Sequence, residues 1–453
     1  MKITDINLVE ILTTQGTSGV KAFIKLENNY VFEGSVGHGT SRGNYEAAVY
    51  GKTEEIEEGS KLFSNFQLEL DEKADILYVA IVGKEANFAE IDQLLCDLDG
   101  TADKSNIGGA IILSISIAVA RAQAYVEEIE VGELLGKKIW GDDAKLVLPT
   151  PLINIINGGM HVTGQIIPFQ EILLCPEETK KNGSVGKIIS NAQTIFFELQ
   201  KLLKKKSIFY GYGFEGGISA QFNSVDQALD LLYESIMISG FVDDFYIGFD
   251  CAATNWFDQK TGKYSFSAQG KKYTSQQLMS WYLDLKSRYP IVYFEDPFAE
   301  DDFAAWTMFK KEYSGHIAGD DLCATQVARL EKVLQEDCIN TVIVKPTQIG
   351  TLSETIDFIK YAQEKKLEMV ISHRSCETDD GFIIDLIFAA GSRFCKLGNI
   401  TQGSIVKYNK LLEYNFMLIM SLLKSMENTS EVEEFTTTKA SEEMREKEEE
   451  NNI

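Results

Sequence analysis

Short apolar runs recur down the later half of this chain, and each stops at a polar or charged residue. Ile291-Val292-Tyr293-Phe294 runs into Glu295, Ile317-Ala318-Gly319 into Asp320, Thr341-Val342-Ile343-Val344 into Lys345, Met369-Val370-Ile371-Ser372 into His373, and Phe394-Cys395 into Lys396. The endpoints lie 25, 25, 28 and 23 residues apart. That spacing holds one strand and one return helix, the crossover a parallel strand needs to re-enter its sheet the same way up. Five successive units predict a βα barrel with functional side chains at the carboxyl ends of its strands. A single polar endpoint would mean little, because loops begin polar. Two acids, two lysines and a histidine in register point to a site.

Upstream the pattern changes twice. Residues 1 to about 34 alternate in short runs (Ile6, Leu8; Val20, Ala22, Ile24, Leu26; Tyr30, Phe32), which predicts a small antiparallel sheet. Ser35 to Gly43 holds three glycines beside His38, Ser41 and Arg42, the composition of a mobile loop that can approach a ligand closely. From about Glu46 to Tyr125 the period becomes helical, most clearly over Gly108–Ala124, where Ile112, Ile115 and Val119 share a face. Leu98-Asp99-Gly100-Thr101-Ala102-Asp103-Lys104-Ser105 before it reads as a turn feeding that helix. After a boundary at Gly141-Asp142-Asp143, Leu146–Ile156 is strongly β-like and leads to Asn157-Gly158-Gly159-Met160-His161. Glu171 sits inside the apolar run Phe169–Leu174, so it must be neutral or paired. Gly211-Tyr212-Gly213-Phe214-Glu215-Gly216-Gly217 holds one acid on a glycine-rich backbone, and Phe245–Phe249 ends in Asp250. The expected organisation is an amino-terminal α+β domain over 1–140, a barrel over 141–425, and an acid-rich, disordered tail over 426–453.

Composition narrows the partners. A barrel typically takes about 250 residues, so a chain of 453 leaves room for a second domain. The net charge of −25 repels nucleic acid and anionic membrane, so an anionic substrate would need a local cluster of positive charge. Seven scattered cysteines without a CxxC pair suit a reducing cytosol. The amino terminus lacks a signal-peptide core, and no run is expected to reach the roughly 18 apolar residues of a membrane helix. A cytoplasmic protein without nucleic-acid or membrane partners is expected.

Asp250, Glu295 and Asp320 would end three strands on one rim, and such hard oxygen ligands favour Mg²⁺ or Mn²⁺. Lys345 and Lys396 end later strands; a lysine crowded by metal and a second cation has a lowered pKa and can act as a general base. Glu171 and Glu215, sharing a low-dielectric mouth, could keep one protonated carboxyl. His373-Arg374-Ser375 offers an imidazole, a guanidinium fork and a hydroxyl suited to phosphate, and His161 also follows a strand. A base facing an acid suits addition or elimination of water.

Five stretches carry a resemblance to a known family: LDGTADKS at 98–105, FEDPFAEDD at 294–302, GDDL at 319–322, KPTQIGTLSE at 345–354 and SHRSCETDD at 372–380. With them the chain resembles the enolases, phosphopyruvate hydratases, over roughly residues 35–412. The resemblance implies a small α+β domain on an eight-stranded barrel whose first units depart from βα order. It implies Asp250, Glu295 and Asp320 as ligands of one Mg²⁺, Ser41 as a ligand of a second, Lys345 as the base, and Glu215 as the acid with Glu171 beside it. Lys396 would bind the substrate carboxylate; His161, His373, Arg374 and Ser375 would contact phosphate or leaving group. The substrate implied is a small phosphorylated hydroxy acid, 2-phosphoglycerate.

Several segments differ from the family pattern. DSRGNP becomes Thr13-Thr14-Gln15-Gly16-Thr17-Ser18, the serine of NGGSH becomes Met160, and GAPARSER shrinks to Gly398–Ser404. The first and last are used in the family's dimer contacts, so these changes weigh against a homodimer. GDEGG becomes GFEGG, and Phe214 is expected to favour a neutral Glu215 by desolvation. An enolase-like binding or structural protein with weak turnover remains the alternative; another acid-sugar dehydratase fits the phosphate set poorly.

Overall fold

The chain is described by a computed structural model, which covers residues 1–40, 42–51, 64–141, 147–162, 166–177, 184–266 and 270–427. Ser41, Asp142 and Asp143 of the expected boundary, and the tail from residue 428 lie outside the described residues. Met1–Tyr408 is one compact unit and Asn409–Ile453 a second, of which 409–427 complete the helix Ile405–Glu427.

The amino-terminal alternation forms β1 (Ile3–Leu12), β2 (Ser18–Leu26) and β3 (Val31–Val36), an antiparallel sheet in that order. Four helices follow: α1 (Ser64–Ile81), α2 (Phe88–Asp99), α3 (Gly109–Val126) and α4 (Val131–Trp140). Asp99 shapes the turn into α3, its carboxylate accepting from the backbone N–H groups of Thr101 (3.1 Å), Asn106 (3.0 Å) and Ile107 (2.6 Å). α3 is apolar on every side, and such a helix has to be covered all round. It amends the sequence expectation: Gly109–Val126 is long and apolar enough to cross a membrane, yet 83% of it is buried within the protein.

The barrel strands are β4 (Thr150–Asn157), β5 (Glu171–Pro176), β8 (Phe245–Asp250), β12 (Ile291–Glu295), β13 (His316–Gly319), β14 (Thr341–Val344), β15 (Glu368–Ser372) and β16 (Phe394–Lys396). They hydrogen-bond in that order, and β16 returns to β4 to close an eight-stranded barrel. β5 runs antiparallel to both neighbours, β4 and β8, while the other pairings are parallel. The hairpin β6 (Tyr210–Tyr212) and β7 (Ile218–Ala220) adds to β4, and β9 (Phe257–Asp258), β10 (Lys263–Phe266) and β11 (Lys271–Tyr273) form a small separate sheet. Leu152, Leu173, Tyr293, Ile343, Val370 and Phe394 pack together inside the barrel, so polar chemistry gathers at one mouth, at the carboxyl ends of the parallel strands and at the amino end of the reversed β5.

Candidate active site

Strand register sets the first part of the site. Glu171 opposes Asp250 across β5 and β8, and Asp250 opposes Glu295 across β8 and β12, so three acids stand level on adjacent strands. Asp320 follows β13 directly. Lys396, at the end of β16, reaches across the mouth, its Nζ lying 2.8 Å from Asp250 Oδ2, 2.7 Å from Glu295 Oε1 and 3.3 Å from Glu171 Oε1. Lys345 Nζ pairs with Asp320 Oδ2, and Gln348 Nε2 donates to the other oxygen at 2.9 Å.

The acid set remains under-neutralised. Burial, and then the Asp250 charge, push Glu295 up to about 8, and Glu171 Oε2 is buried without a hydrogen-bond partner. Asp250, Glu295 and Asp320 are at most 7% exposed and offer only oxygen, so the donor set fits a hard divalent cation. Among the described residues, the acid and histidine groups that bring their ligand atoms within 4.8 Å of one another are His161–Glu171–Glu215 and Asp296–Asp320–Asp321; Asp250, Glu295 and Asp320 do not converge so closely.

Lys345 and Glu171 belong to opposite sides of the ring: β14 and β5 are four strands apart in either direction around the barrel. Burial lowers the pKa of Lys345, but the adjacent Asp320 outweighs it and holds the ammonium above its usual range. The crowding expected from the sequence is present as Lys396 and Arg374, which pull the other way without prevailing.

Glu215 is carried by the β6–β7 hairpin. Asn154 Nδ2 donates to its Oε2 at 3.1 Å, and Gly217 N donates to Asn157 Oδ1 at 2.9 Å. Glycine is required here: a Cβ on Gly217 would stand 2.6 Å from Asn154 Oδ1. The expectation for Phe214 is corrected. Phe214 is 39% exposed, and its ring lies beside His161, centroids 6.5 Å apart. Burial favours the neutral form of Glu215, yet His161 and His373 hold it well below the carboxylate range. Glu171 is instead raised, by burial first and then by the Glu215 charge. Of the two carboxyls, Glu171 is the one whose neutral form is favoured.

Arg374 and Ser375 are covered by the glycine-rich loop. His38 and Cys376 exchange backbone hydrogen bonds of 3.0 Å, and Ser375 Oγ lies 2.9 Å from Thr40 N and 2.8 Å from Thr40 Oγ1. A Cβ on Gly39 would lie 2.6 Å from Arg374 Nε. Arg374 Nη1 donates to Glu46 Oε2 at 2.7 Å and to Thr347 Oγ1 at 3.2 Å, so a carboxylate occupies the fork expected for phosphate. Glu46, Thr40, Gln348, Asn154 and Asp321 escaped the sequence reading. Gln348 and Asp321 lay inside quoted motifs, Asn154 inside the β-like run Leu146–Ile156 and Thr40 inside the glycine-rich loop, but none was singled out; Glu46 carried no signal at all.

The structure thus gathers His161, Glu171, Glu215, Asp250, Asp320, Lys345, His373, Arg374, Ser375 and Lys396 around one cleft, with Glu295 bonded through Lys396. The remaining predicted ligand, Ser41, lies outside the described residues.

Residues 145–426 match the family model for the enolase C-terminal TIM barrel domain, and residues 3–135 that for the enolase N-terminal domain. The chain is 33% identical over 439 residues to the enolase of Ehrlichia ruminantium (strain Welgevonden), covering 93% of this chain and 98% of the relative. It is 32% identical over 421 residues to the enolase of Sulfurisphaera tokodaii, covering 91% and 95%.

Proposed function

This chain belongs to the enolase family, hydro-lyases of the phosphopyruvate hydratase type, and on that premise we propose that it catalyses the reversible Mg²⁺-dependent dehydration of 2-phosphoglycerate to phosphoenolpyruvate. The observation that carries this is the placement of Lys345 four strands from Glu171 either way round a closed ring. A base and an acid on opposite sides of a bound substrate are what anti elimination of water requires.

Lys345 takes the proton next to the substrate carboxylate. Lys396 binds that carboxylate, and Arg374 and Ser375 hold the phosphate, Arg374 exchanging Glu46 for it. The neutral carboxyl of the Glu171–Glu215 pair gives its proton to the departing 3-hydroxyl, with His161 and His373 beside it. Asp250, Glu295 and Asp320 would hold one Mg²⁺ and Ser41 would help hold a second; such charge would supply electrostatic stabilisation of the negative charge that builds on proton removal and would offset the Asp320 charge that raises the Lys345 pKa. The seven free cysteines and the net charge of −25 favour a cytoplasmic setting without nucleic-acid or membrane partners.

Ultraviolet detection of phosphoenolpyruvate from 2-phosphoglycerate, with and without Mg²⁺, tests this directly. Turnover should require the metal and fall by about 10²–10⁴-fold in Lys345→Ala. A folded chain with no turnover would leave the binding or structural alternative.

A further inference from the structure

His373 Nδ1 lies 3.1 Å from Nζ of Lys407. Its other ring nitrogen, Nε2, lies 3.6 Å from Glu215 Oε1 and has no hydrogen-bond partner. All three side chains are buried, Lys407 at 2% exposure, His373 at 4% and Glu215 at 7%. Lys407 comes from the first turn of the helix Ile405–Glu427, outside every barrel strand. That turn is tied to the site by Tyr408, whose hydroxyl donates to Gly398 O at 3.0 Å. Gly398 in turn seats the imidazole edge, since a Cβ there would stand 2.9 Å from His373 Cε1.

An ammonium has three protons and no acceptor, so a ring nitrogen facing it must accept. A neutral imidazole that accepts at one nitrogen carries its proton on the other. We propose that Lys407 is a positioning residue that locks His373 in the Nε2–H tautomer, so that a neutral imidazole presents its only N–H toward Glu215 and the departing oxygen. Burial pulls the Lys407 pKa down and outweighs Glu377 and Glu215, which favour its charged form; the amine still carries protons to donate to Nδ1 at 3.1 Å. The catalytic use of this N–H rests on the dehydration proposed above; the tautomer itself does not.

The chain holds only four histidines, so the full-length protein labelled with ¹⁵N at histidine gives a readable two-bond ¹H–¹⁵N spectrum, with His373→Asn identifying the signal. Near neutral pH the wild type should show a protonated Nε2 and a bare Nδ1. Lys407→Met should give a mixture containing Nδ1–H and lower kcat by about 10–100-fold, with KM within about threefold. Lys407→Arg, which also only donates, should keep Nε2–H and part of the lost kcat. An Nδ1–H tautomer or an imidazolium in the wild type, or an unchanged tautomer in Lys407→Met, overturns the proposal. Should Lys407→Met fail to fold, the wild-type spectrum and Lys407→Arg decide. The expected tautomer in a chain without turnover would reject the dehydration and leave Lys407's role standing.

Discussion

Phe214 stands beside Glu215 without setting its charge, which His161 and His373 pull down instead. Adjacent to Glu215, it presents a ring that is 39% exposed, while Gln15 Nε2 donates to its carbonyl at 2.5 Å. Phe214→Asp therefore adds an exposed charge rather than removing a desolvating wall, and exposed charges interact by only about 0–1 kcal/mol. The acidic limb of the pH–rate profile should shift by less than about half a unit. A downward move of a full unit would restore a desolvating role to the ring. Lys396 is the opposite case: it contacts Asp250, Glu295 and Glu171 in a buried cluster. Lys396→Met strands those carboxylates, a change worth about 3–5 kcal/mol. Urea unfolding in EDTA should show that loss, with partial recovery on adding Mg²⁺ because a ligand of the native state stabilises it. Equal stability of variant and wild type in EDTA would mean that the acids are neutralised by protonation rather than by Lys396.

The contact between β3 and α3 depends on one missing side chain. A Cβ at Gly34 would lie 2.8 Å from both Ala118 N and Ile117 Cβ, and would press on Ser114 O as well. Backbone cannot yield as a flexible side chain can, so Gly34→Ala should cost at least about 1–3 kcal/mol, read as a lower urea midpoint. An unchanged midpoint would show that strand and helix can separate. Sequence alone revealed such elements unevenly. The later strands were legible because each apolar run ends in its functional residue at one regular spacing, and α3 because its apolar positions repeat. The reversal of β5 was implied only by family resemblance, since periodicity carries no strand direction. Glu46 and Lys407 were invisible: their partners Arg374 and His373 lie 328 and 34 residues away, and neither sits on a strand of the rim. The protonation of the Glu171–Glu215 pair was half legible. That one acid would be neutral followed from crowding, but which one depends on two histidines brought in by folding.

Across the unit formed by residues 1–408, the amino-terminal region joins the barrel through partly buried polar contacts. Arg121 grips Asp380 with bonds of 2.9 and 2.6 Å, and Lys104 pairs with Glu354 at 2.9 Å. Asp92 of α2 accepts from Ser353 N at 2.9 Å and Ser353 Oγ at 2.7 Å, at the start of the helix Leu352–Glu364. Its other oxygen has no partner, and burial pushes its carboxyl up to about 6 against the pull of Ser116 and Ser353. In the unfolded chain an aspartate titrates near about 3.9. Between those values the folded protein keeps a proton that the unfolded chain has released, so raising the pH through this window removes stability. A difference of about two pKa units corresponds to about 3 kcal/mol, present in full below about pH 4 and gone above about pH 6. The net charge of −25 gives the whole molecule its own pH dependence, so the contribution has to be isolated by difference. Asp92→Asn mimics the protonated carboxyl at every pH. Its urea midpoint should rise relative to wild type as pH increases from about 4 to about 7, by the equivalent of about 2–3 kcal/mol. Parallel curves for the two proteins would mean that Asp92 stays ionised at this junction.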